Sequence, residues 1–319
     1  MTRFAGFVVA AGVAFGAAAQ DKYPSRPVSV IVPQAPGGAN DTVARIVAMR
    51  LSENLGQQFV VENRPGAGGN VGTALAAKAP RDGYTLLLTV QSAHVINPSL
   101  YKSTGFDPIK DFEPVSLVGT VAYVLVAHPS FPAKNVKELI EEVKSKPGQL
   151  NYASAGNGTL NHLLAELLKV QAGLDIVHIP YKGAVAAATD VVAGRVPLSF
   201  QSMPSVVSFV QAGKLKVLGV ANEKRVPSLP DMPTIGETLP GYGATSWYGI
   251  FLPAGTPKDL VARLHAEIVK ALGSKDLQEK MAQQGAEPAS VTPEQFAALI
   301  RDELPKWAKA VKASGAQVD

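Results

Sequence analysis

Apolar residues recur along this chain at two spacings, and the spacing changes at glycines. Val28-Ser-Val-Ile-Val32 is a short β-branched run, and Gln34-Ala-Pro-Gly-Gly38 is a turn. Val43, Ile46, Val47, Leu51 and Leu55 then follow at three- and four-residue steps up to Gly56, which predicts a helix that Asn40 or Asp41 can cap. The same order repeats. Phe59–Glu62 reads as a strand, Asn63–Gly69 as a glycine-rich loop, and Val71–Ala79 as an Ala-rich helix. Tyr84–Val90 reads as a buried strand with Gln91 and Ser92 emerging at its end. Strands alternating with helices predict an α/β fold with a mostly parallel sheet.

Val115–Ala127 is long for one strand and has Gly119 in its middle, which suits a crossing between domains. After a helix at Val136–Lys146 the opening order returns: strand Leu150–Ser154, loop Ala155–Gly158, and a helix with Leu160, Leu163, Leu164, Leu167 and Leu168 on one face, ended by Gly173. Ile176–Tyr181 is a further strand that opens through Lys182 and Gly183 into a helix reaching Ala193, and Val196–Phe200 and Leu215–Ala221 complete a second sheet. Trp247–Leu252 returns to the first domain, and helices at 257–272, 275–284 and 293–315 close the chain. The expected division is residues 20–123 with 243–319 as one domain and 124–242 as the other.

The 319 residues are too many for one compact core, in keeping with two domains. Lys and Arg number 30 against 26 Asp and Glu, a net charge of +4, and they are scattered without a basic run, so nucleic-acid binding is not expected. The cysteine count of zero excludes disulfides, thiolate metal sites, Cys nucleophiles and lipid attachment through cysteine. Arg3, the apolar run Phe4–Gly16 and Ala17-Ala18-Ala19 read as a secretory signal peptide over residues 1–19, cleaved near Ala19. That run is short of the roughly 20 residues a bilayer span needs, so export to the periplasm as a soluble protein is expected.

Glycine loops between a strand end and a helix start bind anions, because the first N–H groups of a helix have no partner within it and the helix dipole lies behind them. One such loop contains Gly37 and Gly38. The other contains Gly156 and Gly158, with Ser154, Asn157 and Thr159 as side-chain donors. Ordinary βα turns use glycine in the same way whatever they bind. Phosphate is a poor fit, since no phosphate-loop lysine motif is present and Gly66–Gly72 has Val71 where a dinucleotide fingerprint needs Gly or Ala. The five histidines are spread singly, without metal-ligand spacing, so no metal or cofactor is expected. A secreted hydrolase using Ser154 is weakly supported: Tyr152 stands where a nucleophile elbow needs Gly, and His162 is too far along the next helix to serve as base.

Six segments resemble the Bug family of periplasmic substrate-binding proteins, the receptors of tripartite tricarboxylate transporters. They are Pro36–Asp41, Val61–Gly69, Ala79–Tyr84, Tyr152–Gly156, His178–Gly183, and Trp247–Gly249 with Pro253–Pro257, and together they run through nearly the whole chain after the leader. The resemblance implies a two-domain clamshell of the type II binding-protein kind, which closes on a carboxylate held in the cleft and does not turn it over. It carries over Gly37, Gly38, Ala39 and Asn40 as donors facing Ser154, Asn157 and Thr159, partly through ordered water, with Ser92, Tyr181 and Gly183 as further candidates. Gln34 and Gln201 stand where the family pattern commonly has an aromatic and an acidic residue. Both are expected on the far side of the cleft, and the missing acid favours plain carboxylates (di- or tricarboxylates or aromatic acids) over amino acids. The implied partners are membrane transporter subunits or a sensor protein, and the expected state is a monomer.

Overall fold

The structure is a computed structural model that describes residues 23–37, 39–227, 229–316 and 318; the expected leader, residues 1–19, lies outside them. The chain begins with β1 (Val28–Val32), α1 (Ala39–Leu55), β2 (Phe59–Asn63), a 3-10 turn at Ala67–Gly69, α2 (Asn70–Ala77) and β3 (Thr85–Val90). A π-helical turn at Ser92–Ile96 leads into the single-turn α3 (Asn97–Leu100), then β4 (Phe112–Val121) and β5 (Tyr123–Ala127). Next come α4 (Val136–Ser145), β6 (Asn151–Ser154), α5 (Leu160–Ala172), β7 (Val177–Pro180), α6 (Ala184–Val192), β8 (Leu198–Ser202), α7 (Met203–Gln211) and β9 (Lys216–Val220). The chain ends with β10 (Ser246–Pro253), α8 (Lys258–Leu272), α9 (Lys275–Gln283), β11 (Ala286–Pro288) and α10 (Pro293–Ser314).

Among the described residues the strands form two sheets, ordered β11-β4-β10-β3-β1-β2 and β7-β6-β8-β5-β9. Both are built alike. In the first, β1 lies parallel between β2 and β3, and β10 joins β3 antiparallel. In the second, β6 lies parallel between β7 and β8, and β5 joins β8 antiparallel. The antiparallel strand of each sheet is thus the one that has just arrived from the other. Open parallel sheets bind ligands outside the carboxyl ends of their strands. Here those ends are the loops after β1, β2 and β3 in one lobe, and after β6, β7 and β8 in the other.

The crossing within 115–127 falls at Ala122, where β4 gives way to β5, and not at Gly119. Gly119 lies inside β4, where a Cβ would sit 2.6 Å from the Met281 methyl and 3.1 Å from the Glu287 carbonyl. Its glycine serves close packing of α9 and β11 on the strand. The crossing is tied down by backbone bonds from Met203 N–H to the Ala122 carbonyl (2.8 Å) and from Ala221 N–H to Tyr123 (2.7 Å), while the returning chain adds Ala244 N–H to Ala221 (2.9 Å).

Helix α10 joins the lobes. A capping box of Thr292 and Gln295 fixes its start, and it buries Phe296, Ile300, Trp307 and Val311. It packs on β4 and the Ser92–Ile96 turn on one side and on α5 of the second lobe on the other. One apolar core therefore runs from Ile31, Leu87 and Phe251 to Leu163 and Phe200. Among the described residues no helix is long and apolar enough to cross a membrane.

Candidate functional site

A cavity of about 230 Å³ lies between the lobes at the strand ends. The first lobe contributes Gly68 from the loop after β2 and Ser92, Asn97, Leu100 and Tyr101 from the segment after β3. The second contributes Tyr123 at the start of β5 and the run from Asn157 to Asn161, which carries the loop after β6 into α5. A larger depression, about 460 Å³, lies beside α1 and the edge strand β2, lined by Arg45, Glu53 and Phe59. It is on the outer edge of the first sheet, away from the strand ends, and joins no residues from the two lobes.

None of the residues lining the interlobe cavity carries a charge. Four of them, Ser92, Tyr101, Tyr123 and Asn157, have side-chain polar groups that make no hydrogen bond among the described residues. Leu160 and Asn161 begin α5, so their backbone N–H groups have no partner within the helix. The N-terminal end of the α5 dipole adds about 0.3–1 kcal/mol for an anion placed there, rising toward 2 when partly buried. The cavity thus offers uncommitted hydroxyls, an amide and helix-start N–H groups, and holds no fixed anion that would repel a carboxylate.

The lobes touch at Leu100 and Gly158. Gly158 has φ +73°, and a Cβ there would lie 2.1 Å from a methyl of Leu100. Only glycine meets both demands. Asn97, one turn earlier, is buried and donates through Nδ2 to the Gly68 carbonyl (3.1 Å) and to Asn70 Oδ1 (2.7 Å), which fixes the loop after β2 against the loop after β3.

Of the residues expected from sequence, the structure brings Ser92, Asn157 and Thr159 to this cavity. No described residue of the loop after β1 lines it. Gly37 donates its N–H to Asp41 Oδ2 (2.9 Å), so that donor is already used. Asp41 also accepts from Asn63 Nδ2 (2.9 Å) and pairs with Arg45 (3.0 Å). Burial opposes its ionisation, but these bonds prevail and hold the carboxyl below the usual range. Ala39 starts α1, and Asn40 is buried, donating Nδ2 to Gln34 Oε1 and toward the Leu88 carbonyl (3.4 Å). Gly38 lies outside the described residues. Gln34 sits behind the loop after β2, its Nε2 3.0 Å from where a Cβ on Gly69 would be.

Ser154 is fully buried beneath the second loop. Its Oγ accepts from the Gly156 N–H (3.1 Å) and lies 2.6 Å from His178 Nε2. The residue beside Ser154 is therefore His178, from the neighbouring strand β7, and not His162, and the hydroxyl is enclosed within the lobe. Thr159 lines the cavity, yet its hydroxyl donates to the Gly156 carbonyl (2.7 Å). Tyr181 gives its hydroxyl to Asp190 (2.7 Å), and Gly183 gives its N–H to Ala155 (3.1 Å). These residues brace the loop from one side. Gln201 is fully buried behind Asn161, holding Ser199 through Nε2 (2.9 Å), so an acid at that position would not face the cavity directly. Sequence reasoning missed Gly68, Asn97, Leu100, Tyr101, Tyr123, Leu160 and Asn161. The motif Val61–Gly69 was a signal for the first of these.

Two similar lobes with a polar cavity between facing strand ends define a solute-binding receptor of the periplasmic kind. Residues 43–316 match the sequence profile of the tripartite tricarboxylate transporter family receptor, and the chain belongs to that family. Protein BugT of Bordetella pertussis is 39% identical over 98% of this chain and 96% of its own. Among solved structures, Rpa4515 of R. palustris with adipate is 36% identical, with a TM-score of 0.81 over 93% of this chain and all (100%) of that one. MatC (Rpa3494) from Rhodopseudomonas palustris with bound malate is 33% identical, with a TM-score of 0.76 over 91% of this chain and 100% of its own.

Proposed function

We propose that this chain is a periplasmic receptor that captures a small organic carboxylate between its lobes and delivers it to the membrane subunits of a tripartite tricarboxylate-type transporter. Its action is binding without turnover. The observation that carries the reading is the interlobe cavity, where uncharged donors from both lobes and the start of α5 meet and no carboxylate of the protein intrudes. The relatives bound to adipate and to malate support a carboxylate as the ligand. A carboxylate placed there gains hydrogen bonds from Ser92, Tyr101, Tyr123, Asn157 and the N–H groups of Leu160 and Asn161. An amino acid would bring an ammonium group with no acidic partner, so plain carboxylates are the favoured class.

Closure is a rotation of residues 124–242 against residues 20–123 with 243–319, absorbed at Ala122 and in the returning segment 243–245. The mature chain begins after cleavage near Ala19 and acts as a monomer. A thermal-shift screen of mono-, di- and tricarboxylates and acidic amino acids tests the reading. A true ligand at about 100 times its dissociation constant adds about 2.7 kcal/mol of apparent stability. Stabilisation by the amino acids alone, with none from any plain carboxylate, would overturn the assignment of ligand class.

A further inference from the structure

Two imidazoles stack beneath the second loop. His162 lies in the first turn of α5 and His178 on β7, with their ring centroids 4.0 Å apart and their planes 10° from parallel. Tyr152 of β6 continues the stack, 4.9 Å from His178. Each imidazole holds one glycine of the loop. Gly158 donates its N–H to His162 Nδ1 (3.1 Å). Gly156 donates to Ser154 Oγ, which in turn meets His178 Nε2 at 2.6 Å. A nitrogen that accepts from an N–H bears no proton, so the His162 proton resides on Nε2 and the ring is neutral.

We propose that His162 and His178 are positioning residues that latch the loop Ala155–Gly158 in its ligand-binding conformation, and that tight binding requires the His162 ring to be neutral. This rests on the reading that the loop borders the ligand. Protonating His162 turns Nδ1 into a donor facing the Gly158 donor, and it places a charge against a second ring 4.0 Å away. The loop then loses the bond that sets Gly158 against Leu100.

The charged groups around the stack do not offset this. On α5, Glu166 Oε1 lies 3.9 Å from His162 Nε2, but it already accepts from the Tyr152 hydroxyl (2.6 Å) and Lys169 (2.8 Å). Helix α10 adds Lys306 and Lys309 to the groove that Glu166 lines. Beyond β7, Tyr181 is bonded to Asp190, which pairs with Arg195 (2.7 Å), and Lys182 is exposed. From β8, Ser199 and Gln201 are neutral. Burial holds His162 below the ordinary imidazole range, and burial together with the neighbouring His162 ring holds His178 at about 4.

The test compares the full chain with His162→Asn, whose Oδ1 stands where Nδ1 does and accepts but cannot titrate, and with His162→Leu, which has no acceptor. Adipate is the calorimetric probe, at about pH 7.5 and about pH 4.5. Adipate's own protonation is common to all the variants and cancels in their ratios. His162→Asn is expected to match the parent at the higher pH and to bind several-fold more tightly than it at the lower; His162→Leu is expected to be about tenfold weaker at neutral pH. His178→Leu, which removes the partner of Ser154, is expected to weaken binding about as much as His162→Leu. Amide NMR of the ligand-free protein gives a second readout: the Gly158 N–H signal shifts with an acid titration in the parent, and the shift is lost in His162→Asn. Parental affinity in His162→Leu, a parent-to-Asn ratio independent of pH, or a Gly158 amide that does not follow an imidazole titration would overturn the proposal. Absence of adipate binding to the parent at neutral pH counts against adipate as ligand, and the amide titration then decides the latch by itself.

Discussion

Glu303 shows how one side chain on the helix that joins the lobes governs a neighbourhood. Buried on α10, it accepts from Trp247 Nε1 (2.9 Å) and Gln91 Nε2 (2.7 Å), and Gln91 also donates to the Thr245 carbonyl (3.0 Å) in the returning segment. Burial raises its carboxyl to about 7 against those two hydrogen bonds. The folded chain therefore keeps this proton up to about 7, while the unfolded chain releases it near 4.5. The group's stabilising contribution is full below 4.5 and is lost as pH rises through 7. Urea unfolding from pH 5 to 8 should show this loss in the parent and a flatter profile in Glu303→Gln. His94 acts in the opposite sense. It stacks on Phe251 at 4.1 Å, and burial holds it at about 4, so stability falls as pH drops from 6.5 toward 4. The same unfolding measurement on His94→Phe should show less acid loss. Neither environment was legible in the sequence, where both residues stand alone. Each is made by strands and helices far apart in the chain.

At the scale of elements, glycine punctuation made the loops after β1, β2, β6 and β7 readable, because a strand that turns into a helix needs positive φ within a few residues. The segment from Ser92 to Leu100 was not readable. It is a π-helical turn followed by one α-helical turn, so its apolar residues keep neither a helical nor a strand spacing. That segment supplies three of the five residues that the first lobe gives the cavity. Donor availability was equally hidden for Ser154, whose partner His178 lies on another strand. The Gly37–Asp41 bond spans only four residues and was open to local reasoning. Gly158→Ala meets both the Leu100 methyl and the left-handed backbone, and should weaken carboxylate binding by about tenfold. Adding Leu100→Ala should restore part of that loss, because the side-chain clash is relieved and the backbone strain remains. Calorimetry on the single and double variants measures the coupling.

For the whole molecule, the proposed closure would turn two lobes of like sheet topology about a few residues near Ala122 and 243–245. The salt bridge between Lys306 and Glu223 (2.9 Å) spans the lobes, but both side chains are well exposed, at 41% and 59%. Lys306→Ala should change stability by less than about 1 kcal/mol, as chemical unfolding can check. The parallel trios β2-β1-β3 and β7-β6-β8 were legible because the strand–loop–helix pattern occurs twice, and so was the return of β10 to the first lobe; the antiparallel pairing of β4, β5, β9, β10 and β11 was not, and it makes both sheets mixed where a mostly parallel sheet was expected. Which loops face each other across the cleft was not legible either, since that depends on how α10 and the crossings seat one lobe on the other. The central claim is that the cavity binds a carboxylate through neutral donors from both lobes. Isothermal titration calorimetry with adipate and with its diamide tests it most directly. Saturable one-to-one binding of adipate is expected, weakened by about tenfold in Ser92→Ala and in Asn157→Ala, with little binding of the diamide. Equal binding of acid and diamide, or adipate binding untouched by both substitutions, would contradict it.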